Sequence, residues 1–310
     1  MKSAARSSRT TIAAALTAER PLVMPLAHDA LTVRLIARAG FRAFAIGGSA
    51  MLAARYALPD LGLVGLADMV AGIRDIAEAT TLPFMADGDD GYGDVKATAR
   101  MVHAYEAIGV GAILIEDQLR DVKQQRADSA RGVAELNVIE QKLRVALAER
   151  TDPHTMIVGR TDAYGVHGLD EALRRAQRFV ELGCGGVFVA GLRTLQDFER
   201  VGRTLKGVAL LSAAIFETPG MPWPTPAALL QMGFTQVSYP ASMILRVTAA
   251  LEGGLRQLRR HATGEAPMAP DASLSDVRGV LDDALHVDDW RRIEASHATE
   301  HGAAGPAHHA

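Results

Sequence analysis

The chain has 310 residues, 48% of them apolar and 22% charged, a formal net charge of −3 and one cysteine. That is the balance of a soluble globular protein with room for one large domain or two ordinary ones. The small net charge excludes a global field for nucleic acid. The lone Cys184 excludes an intrachain disulfide framework and fits a reducing, cytoplasmic setting. The apolar run Val208–Phe216 is too short to span a bilayer, so no membrane partner is expected.

Met1–Thr10 is basic and Ser-rich, and Thr11–Ala18 is only mildly apolar. Together they read as a loose start and a short helix rather than a signal peptide, with a transit peptide as the alternative. Eight short apolar runs follow: Leu22–Ala27, Ala43–Gly48, Pro83–Asp87, Ala112–Asp117, Met156–Thr161, Gly186–Gly191, Val208–Ala214 and Gln236–Pro240. They are apolar throughout instead of alternating, as parallel strands covered on both faces are. Between them lie helix-period stretches at Ala30–Ala39, Leu66–Ala79, Val95–Ile108, Leu136–Glu149, Leu169–Leu182, Leu195–Leu205 and Thr225–Met232. Many end at a glycine (Gly40, Gly109, Gly183, Gly207, Gly233), which suits the left-handed position after a helix.

Eight strand–helix units predict an α/β fold, a (β/α)8 TIM-type barrel with extra C-terminal helices. A doubly wound open sheet is the alternative, but it usually has fewer strands and a phosphate-binding glycine fingerprint. A helix over Ala241–Arg260 closes the pattern. The expected division is residues 1–262 as barrel with N-terminal helix, and 263–310 as linker, two helices (Leu274–Leu285 and Val287–Ala295) and a disordered tail. The tail histidines, His301, His308 and His309, read as tail residues before metal ligands.

Chemistry in such a barrel belongs at the C-terminal strand ends. Those ends supply His28 and Asp29; Gly47, Gly48 and Ser49; Asp87 and Asp89; Glu116 and Asp117; Arg160, Thr161 and Asp162; and Tyr239. The stretch Phe84–Gly93 runs an apolar strand into two acids and then glycines. Strand periodicity places Asp87 and Asp89 on one side. Their hard oxygens suit Mg²⁺ or Mn²⁺, although an Asp/Gly-rich turn is the bland reading. An EF-hand is a poor match, because Gly91 and Thr98 fall at ligand positions five and twelve. A buried acidic cluster repels itself without a cation, and a divalent metal removes that problem. Arg160 beside it suits a substrate carboxylate, with a salt bridge to Glu116 or Asp162 as the equally weighted alternative. The backbone at Gly47, Gly48 and Ser49 suits a second carboxylate or an oxyanion.

The sequence resembles the isocitrate lyase and phosphoenolpyruvate mutase superfamily from about Leu22 to Arg260. The matching landmarks are Gly47-Gly48-Ser49, Leu58-Pro59-Asp60-Leu61-Gly62, Asp87-x-Asp89-x-Gly91-Tyr92-Gly93, Ile115-Glu116-Asp117-Gln118 and Gly159-Arg160-Thr161-Asp162-Ala163. The resemblance implies a helix-swapped barrel in a homo-oligomer, a dimer of dimers. It also implies Mg²⁺ and small 2-oxo or 2-hydroxy carboxylate substrates. Asp87 would be the direct metal ligand, with Asp89 and Glu116 acting directly or through water. Asp60 would lie on a mobile loop, and Arg160 would bind the carboxylate or enolate end.

Departures from the family narrow the chemistry. Its lyases carry a Lys-Arg-Cys-Gly-His type motif after the Glu-Asp pair, whereas here Gln118–Arg126 has no cysteine and Gln124 falls near its place. The strand-six and strand-seven ends look like Ala190 and Ala214, where the lyases have Glu and Asn. The mutases' Lys-x-Asn-Ser loop is absent, with Lys123 one residue out of register. Cys184 precedes strand six, at the opposite end, and reads as packing. What remains is a core that can chelate a 2-oxo acid and stabilise an enolate as a C–C bond breaks. Oxaloacetate decarboxylation to pyruvate is the expected reaction, since loss of CO₂ needs no protein base. Water, Tyr239 and His28 are the candidate proton sources. The alternatives are lysis of methylisocitrate-like or substituted malate substrates with a replaced proton donor, a C–P mutase or hydrolase, and a ligand-binding barrel without turnover.

Overall fold

Eight parallel strands pair side by side: β1 (Leu22–Pro25), β2 (Phe44–Ile46), β3 (Phe84–Asp87), β4 (Ala112–Glu116), β5 (Met156–Thr161), β6 (Gly186–Val189), β7 (Leu210–Ala214) and β8 (Gln236–Tyr239). Their order is β1-β8-β7-β6-β5-β4-β3-β2. A parallel bridge from Leu26 to Ala45 brings β2 back to the first strand. The result is the nearly closed (β/α)8 barrel that the alternation of apolar runs and helical stretches predicts. This computed structural model describes residues 10–124 and 130–298. The tail His301–Ala310, residues 1–9, and Gln125 and Arg126 lie outside the described residues.

The helices are α1 (Ile12–Ala18), α2 (Ala30–Arg38), α3 (Gly48–Tyr56), α4 (Leu66–Glu78), α5 (Val95–Ile108), α6 (Leu136–Glu149), α7 (Ala163–His167), α8 (Leu169–Glu181), α9 (Leu195–Thr204), α10 (Pro226–Met232), α11 (Ser242–Ala262), α12 (Ser273–Ala284) and α13 (Val287–Ala298). Local chemistry starts them where expected. Asp29 caps α2 through the Thr32 amide at 2.7 Å, and Asp94 caps α5 through the Lys96 and Ala97 amides. Gly40, Gly109, Gly183, Gly207 and Gly233 all take positive φ. Two helices have no counterpart in the sequence reading. α3 begins inside the Gly47-Gly48-Ser49 stretch, where glycine's low helix propensity conceals a helix that Ala50–Ala53 sustains. α7 has only five residues, too few to show a period.

Strand pleating splits the core in two. One set of strand side chains, with Phe44, Phe84, Ile113, Ile115, Ile157 and Val187, packs outward against the helices. The other set, with Met24, Ala45, Met85, Leu114 and Val158, fills the barrel together with Ile12, Ala15 and Leu16 of α1. Because side chains alternate, the parity that puts Met85, Leu114 and Val158 inside also turns Asp87, Glu116 and Arg160 inward, one step nearer the C-terminal mouth.

The contacts divide the chain into two compact units, Met1–Ala249 and Ala250–Ala310. The boundary falls within α11, and the Pro/Ala-rich stretch read as a linker lies in the second unit. That unit comprises the end of α11 with α12 and α13, and exposes Leu251, Leu255, Leu274, Val277, Trp290 and Ile293. No helix among the described residues is long and apolar enough to cross a membrane.

Candidate active site

The strand carrying Asp87 stops there, and Asp89 reaches the mouth by a different route from the one its spacing suggests. Asp89 has φ +51°, a left-handed conformation that Asp tolerates better than most residues. Gly88 N–H donates to the Leu114 carbonyl at 2.7 Å, and Glu116 N–H donates to the Asp89 carbonyl at 2.8 Å. A Cβ on Gly88 would lie 2.8 Å from the Leu114 oxygen, so glycine is what lets the turn hug β4. Gly91, at φ +86°, completes the turn. From below, the Tyr105 hydroxyl donates to the Asp87 carbonyl at 2.8 Å and shares a bond with the Tyr92 hydroxyl at 3.0 Å.

The Asp87 carboxylate is held on both oxygens. Oδ1 accepts from Asp89 N–H at 3.0 Å, and Oδ2 accepts from Gly48 N–H at 3.1 Å. The amide expected to meet substrate at the head of α3 is therefore turned onto a carboxylate of the protein. Ser49 is half-buried in the first turn of that helix. Asp60 Oδ2 also lies against Gly48, where an added Cβ would sit 3.3 Å from both Asp60 Oδ2 and Asp87 Oδ2. Gly48, Asp60, Asp87, Asp89, Tyr92 and Lys123 line a small common cavity.

The cluster holds a cation of its own. Lys123 Nζ lies 3.2 Å from Asp60 Oδ1 and 3.1 Å from Glu116 Oε1, and forms a short ion pair with Asp89 Oδ1. Its side chain is 5% exposed. Arg120, from the 3-10 turn Arg120–Val122, pairs with Asp89 Oδ2 at 2.7 Å. It also donates to the Gly62 and Val64 carbonyls. Burial alone would raise the Asp89 carboxyl, but Lys123 and Arg120 hold it below its ordinary value. Asp60 is raised by burial against the pull of Lys123. Burial raises Glu116 well above the ordinary carboxyl value despite Arg160 and Lys123. Burial would lower Lys123, yet the surrounding carboxylates raise it.

Arg160 sits opposite Glu116 across the β4–β5 ladder. Its Nη1 lies 2.8 Å from Glu116 Oε2. Its Nε and Nη2 donate to Asp162 at 2.9 Å each. Both salt bridges weighed as the alternative for Arg160 are thus present. Nη1 and Nη2 each carry a further N–H, so the guanidinium keeps donors for a substrate carboxylate. Gln118 donates to Asp162 Oδ1 at 3.3 Å and accepts from the Gln124 amide at 2.6 Å. This ties Gln124, the residue near the missing cysteine's place, to the same network.

Asp117 faces outward and serves the scaffold. It accepts from the Thr161 hydroxyl at 2.7 Å, from Asp162 N–H at 2.8 Å and from Arg175 Nη1 at 3.0 Å. His28 and Tyr239 stand apart from the carboxylate network among the described residues. His28 Nε2 shares a bond with the Thr32 hydroxyl at 3.0 Å, and burial lowers its basicity against the raising effect of Asp29. The Tyr239 ring lies 5.4 Å from the Trp223 ring, and burial raises its hydroxyl pKa. Cys184 is buried and packs as expected.

Sequence reasoning left Arg120 and Tyr105 without a role and placed Lys123 only near a gating motif. The signal for both cations was their position four and seven residues past Glu116, in a segment opposite the acids. Among the described residues no three His, Cys, Asp or Glu side chains are already drawn into a metal-holding group. The expected trio of Asp87, Asp89 and Glu116 is parted by the ammonium, with Asp87 on backbone amides. The donor chemistry nevertheless fits Mg²⁺. Oxygens of Asp60, Asp89 and Glu116, from three separate segments, converge on the one point that Nζ occupies, and all are hard anionic ligands.

Comparison with known proteins identifies the family. The family model described as Phosphoenolpyruvate phosphomutase matches residues 13–259. The chain is 30% identical to 2,3-dimethylmalate lyase of Eubacterium barkeri over 92% of this chain and 96% of that one. It is 32% identical to oxaloacetate decarboxylase of a Bradyrhizobium species over 63% and 67%. A solved phosphonopyruvate hydrolase in complex with oxalate and Mg²⁺ shares the fold, with TM-score 0.77, 23% identity and coverage of 93% and 98%. With the barrel in place and a family match over most of its length, the chain belongs to the phosphoenolpyruvate mutase/isocitrate lyase superfamily, in which these relatives are named lyases and decarboxylases.

Proposed function

We propose that this enzyme cleaves a carbon–carbon bond in a small 2-oxo or 2-hydroxy di- or tricarboxylate, and that its reaction is decarboxylation of oxaloacetate to pyruvate. The observation that carries the reading is the convergence of Asp60, Asp89 and Glu116 on one cation position beside Arg160. Mg²⁺ held by these acids and Asp87 would supply Lewis-acid polarisation of the 2-oxo group. Arg160, fixed by Asp162 and Glu116, binds and orients the adjacent carboxylate. The segment after β4 offers Gln124 and no cysteine thiol, which suits a reaction whose leaving group is CO₂. The electrons of the C3–C4 bond move onto the 2-oxo group, and C3 then takes one proton, giving pyruvate and CO₂. Of the candidate donors, Tyr239 carries its proton at neutral pH as any phenol does, and burial raises its pKa further, which makes it a weaker acid. His28 is the poorer donor because burial keeps its imidazole neutral.

A second reading, lysis of a substituted malate, is favoured by the near full-length similarity to a 2,3-dimethylmalate lyase. The exposed apolar side chains of α11, α12 and α13 and the buried free cysteine support assembly as a dimer of dimers in the cytoplasm.

The test is turnover of oxaloacetate, methylisocitrate, isocitrate, dimethylmalate and phosphonopyruvate with Mg²⁺, products read by NMR, and Asp87→Ala as control. Pyruvate from oxaloacetate above the metal-only rate, abolished in the variant, supports the first reading. Cleavage of a branched hydroxy acid with oxaloacetate untouched would replace it with the second.

A further inference from the structure

The amine of Lys123 occupies the one point on which oxygens from three different segments converge: Asp60 after α3, Asp89 after β3 and Glu116 at the end of β4. A lysine side chain 5% exposed and surrounded by acids on three sides is not a surface ion pair that solvent exchanges freely. We infer that Lys123 is a built-in counter-cation of this carboxylate cluster, and that a divalent metal enters only by displacing its ammonium from these carboxylates. The inference rests on the proposed metal site and adds to it a specific residue that the metal must move.

Charge and size decide the direction of exchange. One ammonium faces three carboxylates, so Arg120 on Asp89 and Arg160 on Glu116 are needed to complete the neutralisation. Mg²⁺ carries twice the charge and approaches oxygen to about 2.1 Å rather than about 3 Å, so its attraction for a carboxylate it touches directly is roughly three times that of the ammonium, while its retained waters span to the other carboxylates. An ammonium at hydrogen-bonding distance and a metal in contact with the same oxygens cannot share one point. The exchange also reaches beyond the ions. Lys123 ties the segment after β4 to Asp60, and Arg120, three residues earlier, ties it to the Gly62 and Val64 carbonyls. Releasing Lys123 removes one of these three bonds between the segments and leaves the two Arg120 bonds in place. Lys123 thereby couples metal occupancy to the segment that bears Gln124.

The experiment labels amines on the intact protein with a brief pulse of acetic anhydride, with mass spectrometry of each lysine. The exposed Lys96 and Lys206 serve as internal references. Without metal, Lys123 should label at least ten times more slowly than Lys96. Saturating Mg²⁺ or Mn²⁺ should raise Lys123 labelling about tenfold or more while Lys96 and Lys206 stay constant. In parallel, Mn²⁺ binding is followed by electron paramagnetic resonance for wild type and Lys123→Gln, the variant being expected to bind about tenfold or more tightly. The fold of the variant is checked by circular dichroism in the presence of Mn²⁺, and the wild-type labelling does not depend on it. Metal binding with Lys123 still protected and an unchanged affinity in the variant would overturn the inference and leave the proposed function intact. Failure of both proteins to bind metal would overturn both. Metal-dependent release of Lys123 without turnover of any substrate would sustain the inference and remove the proposed function alone.

Discussion

Replacing Arg175 with Met tests whether the outward lock beneath the mouth works as the geometry implies. Arg175 is 6% exposed and its Nη1 lies 3.0 Å from Asp117 Oδ2, whose side chain is fully buried. Without the guanidinium, Asp117 keeps its bonds from the Thr161 hydroxyl and the Asp162 amide but loses its only ion-pair partner among the described residues. Breaking a buried pair from one side costs about 3–5 kcal/mol. The two surviving hydrogen bonds place this case near about 3 kcal/mol, a fall in Tm of roughly 6–12 °C at about 2–4 °C per kcal/mol. Arg175 also donates to the Ala134 carbonyl at 2.7 Å and pairs with Glu171, so the charge effect must be separated. The double variant with Asp117→Asn does this, because a neutral amide no longer needs a counter-ion, and it should recover at least half of the loss. The pH dependence has a definite sign. Burial and Asp162 already raise the Asp117 carboxyl, and a raised folded-state acid is best tolerated at low pH and costs stability as pH rises through its folded value. Removal of Arg175 raises that value further, so the penalty should be full at neutral pH and shrink towards acid. Thermal denaturation of the four proteins across that range is the assay. A loss below about 1 kcal/mol, or a double variant no better than the single one, would refute the account of Asp117 as a buried anion that depends on Arg175.

Four further outcomes are expected. Tyr105→Phe removes the bonds to the Asp87 carbonyl and Tyr92 hydroxyl and should lower stability by about 1–3 kcal/mol in urea, with a weakened Mn²⁺ affinity because Asp87 loses its support. Gly91→Ala, at φ +86° and with its new methyl colliding with the Thr98 hydroxyl, should cost about 1–3 kcal/mol, and Thr98→Ala should restore only the steric part, as read by calorimetry. Burial pushes the Cys184 thiol up to about 12, so a disulfide reagent at pH 8 should leave the folded protein unlabelled and react at once in denaturant; prompt labelling of the native state would contradict its placement. His28 is held below its ordinary value by burial, so its stabilising contribution should be present above about pH 6.5 and disappear as pH falls through the lower folded value. NMR of the imidazole should show more than half of it neutral at pH 6.5, and His28→Asn should flatten that part of the acid transition.

The architecture was legible because each strand is a short apolar run followed by an amphipathic helix, a pattern that needs no knowledge of tertiary contacts. Strand ends could be read for the same reason, and this brought Asp87, Glu116 and Arg160 to one mouth. Asp89 was placed there by strand alternation, whereas the chain delivers it through a left-handed turn, a backbone state that one-dimensional spacing does not encode. The head of α3 read as a flexible anion nest because it opens with two glycines, but its Gly48 amide is spent on Asp87. Lys123 was hardest to see. Its role depends on where an irregular segment returns, and the acids that needed a cation predicted the charge without identifying its carrier.

Glu116 and Asp117 are neighbours in sequence, yet pleating sends one into the mouth and the other into the wall. The pair therefore does two different jobs, linked through Asp162, whose amide bonds Asp117 and whose carboxylate holds Arg160. Redesign for a new substrate can work on the inward set, where Glu116, Arg160 and the vacant-looking Ala214 stand, and leave Asp117 with its Arg175 and Thr161 untouched. A variant library built on that rule would sample chemistry while the frame stays fixed. One that randomised both acids together would vary the frame along with the chemistry.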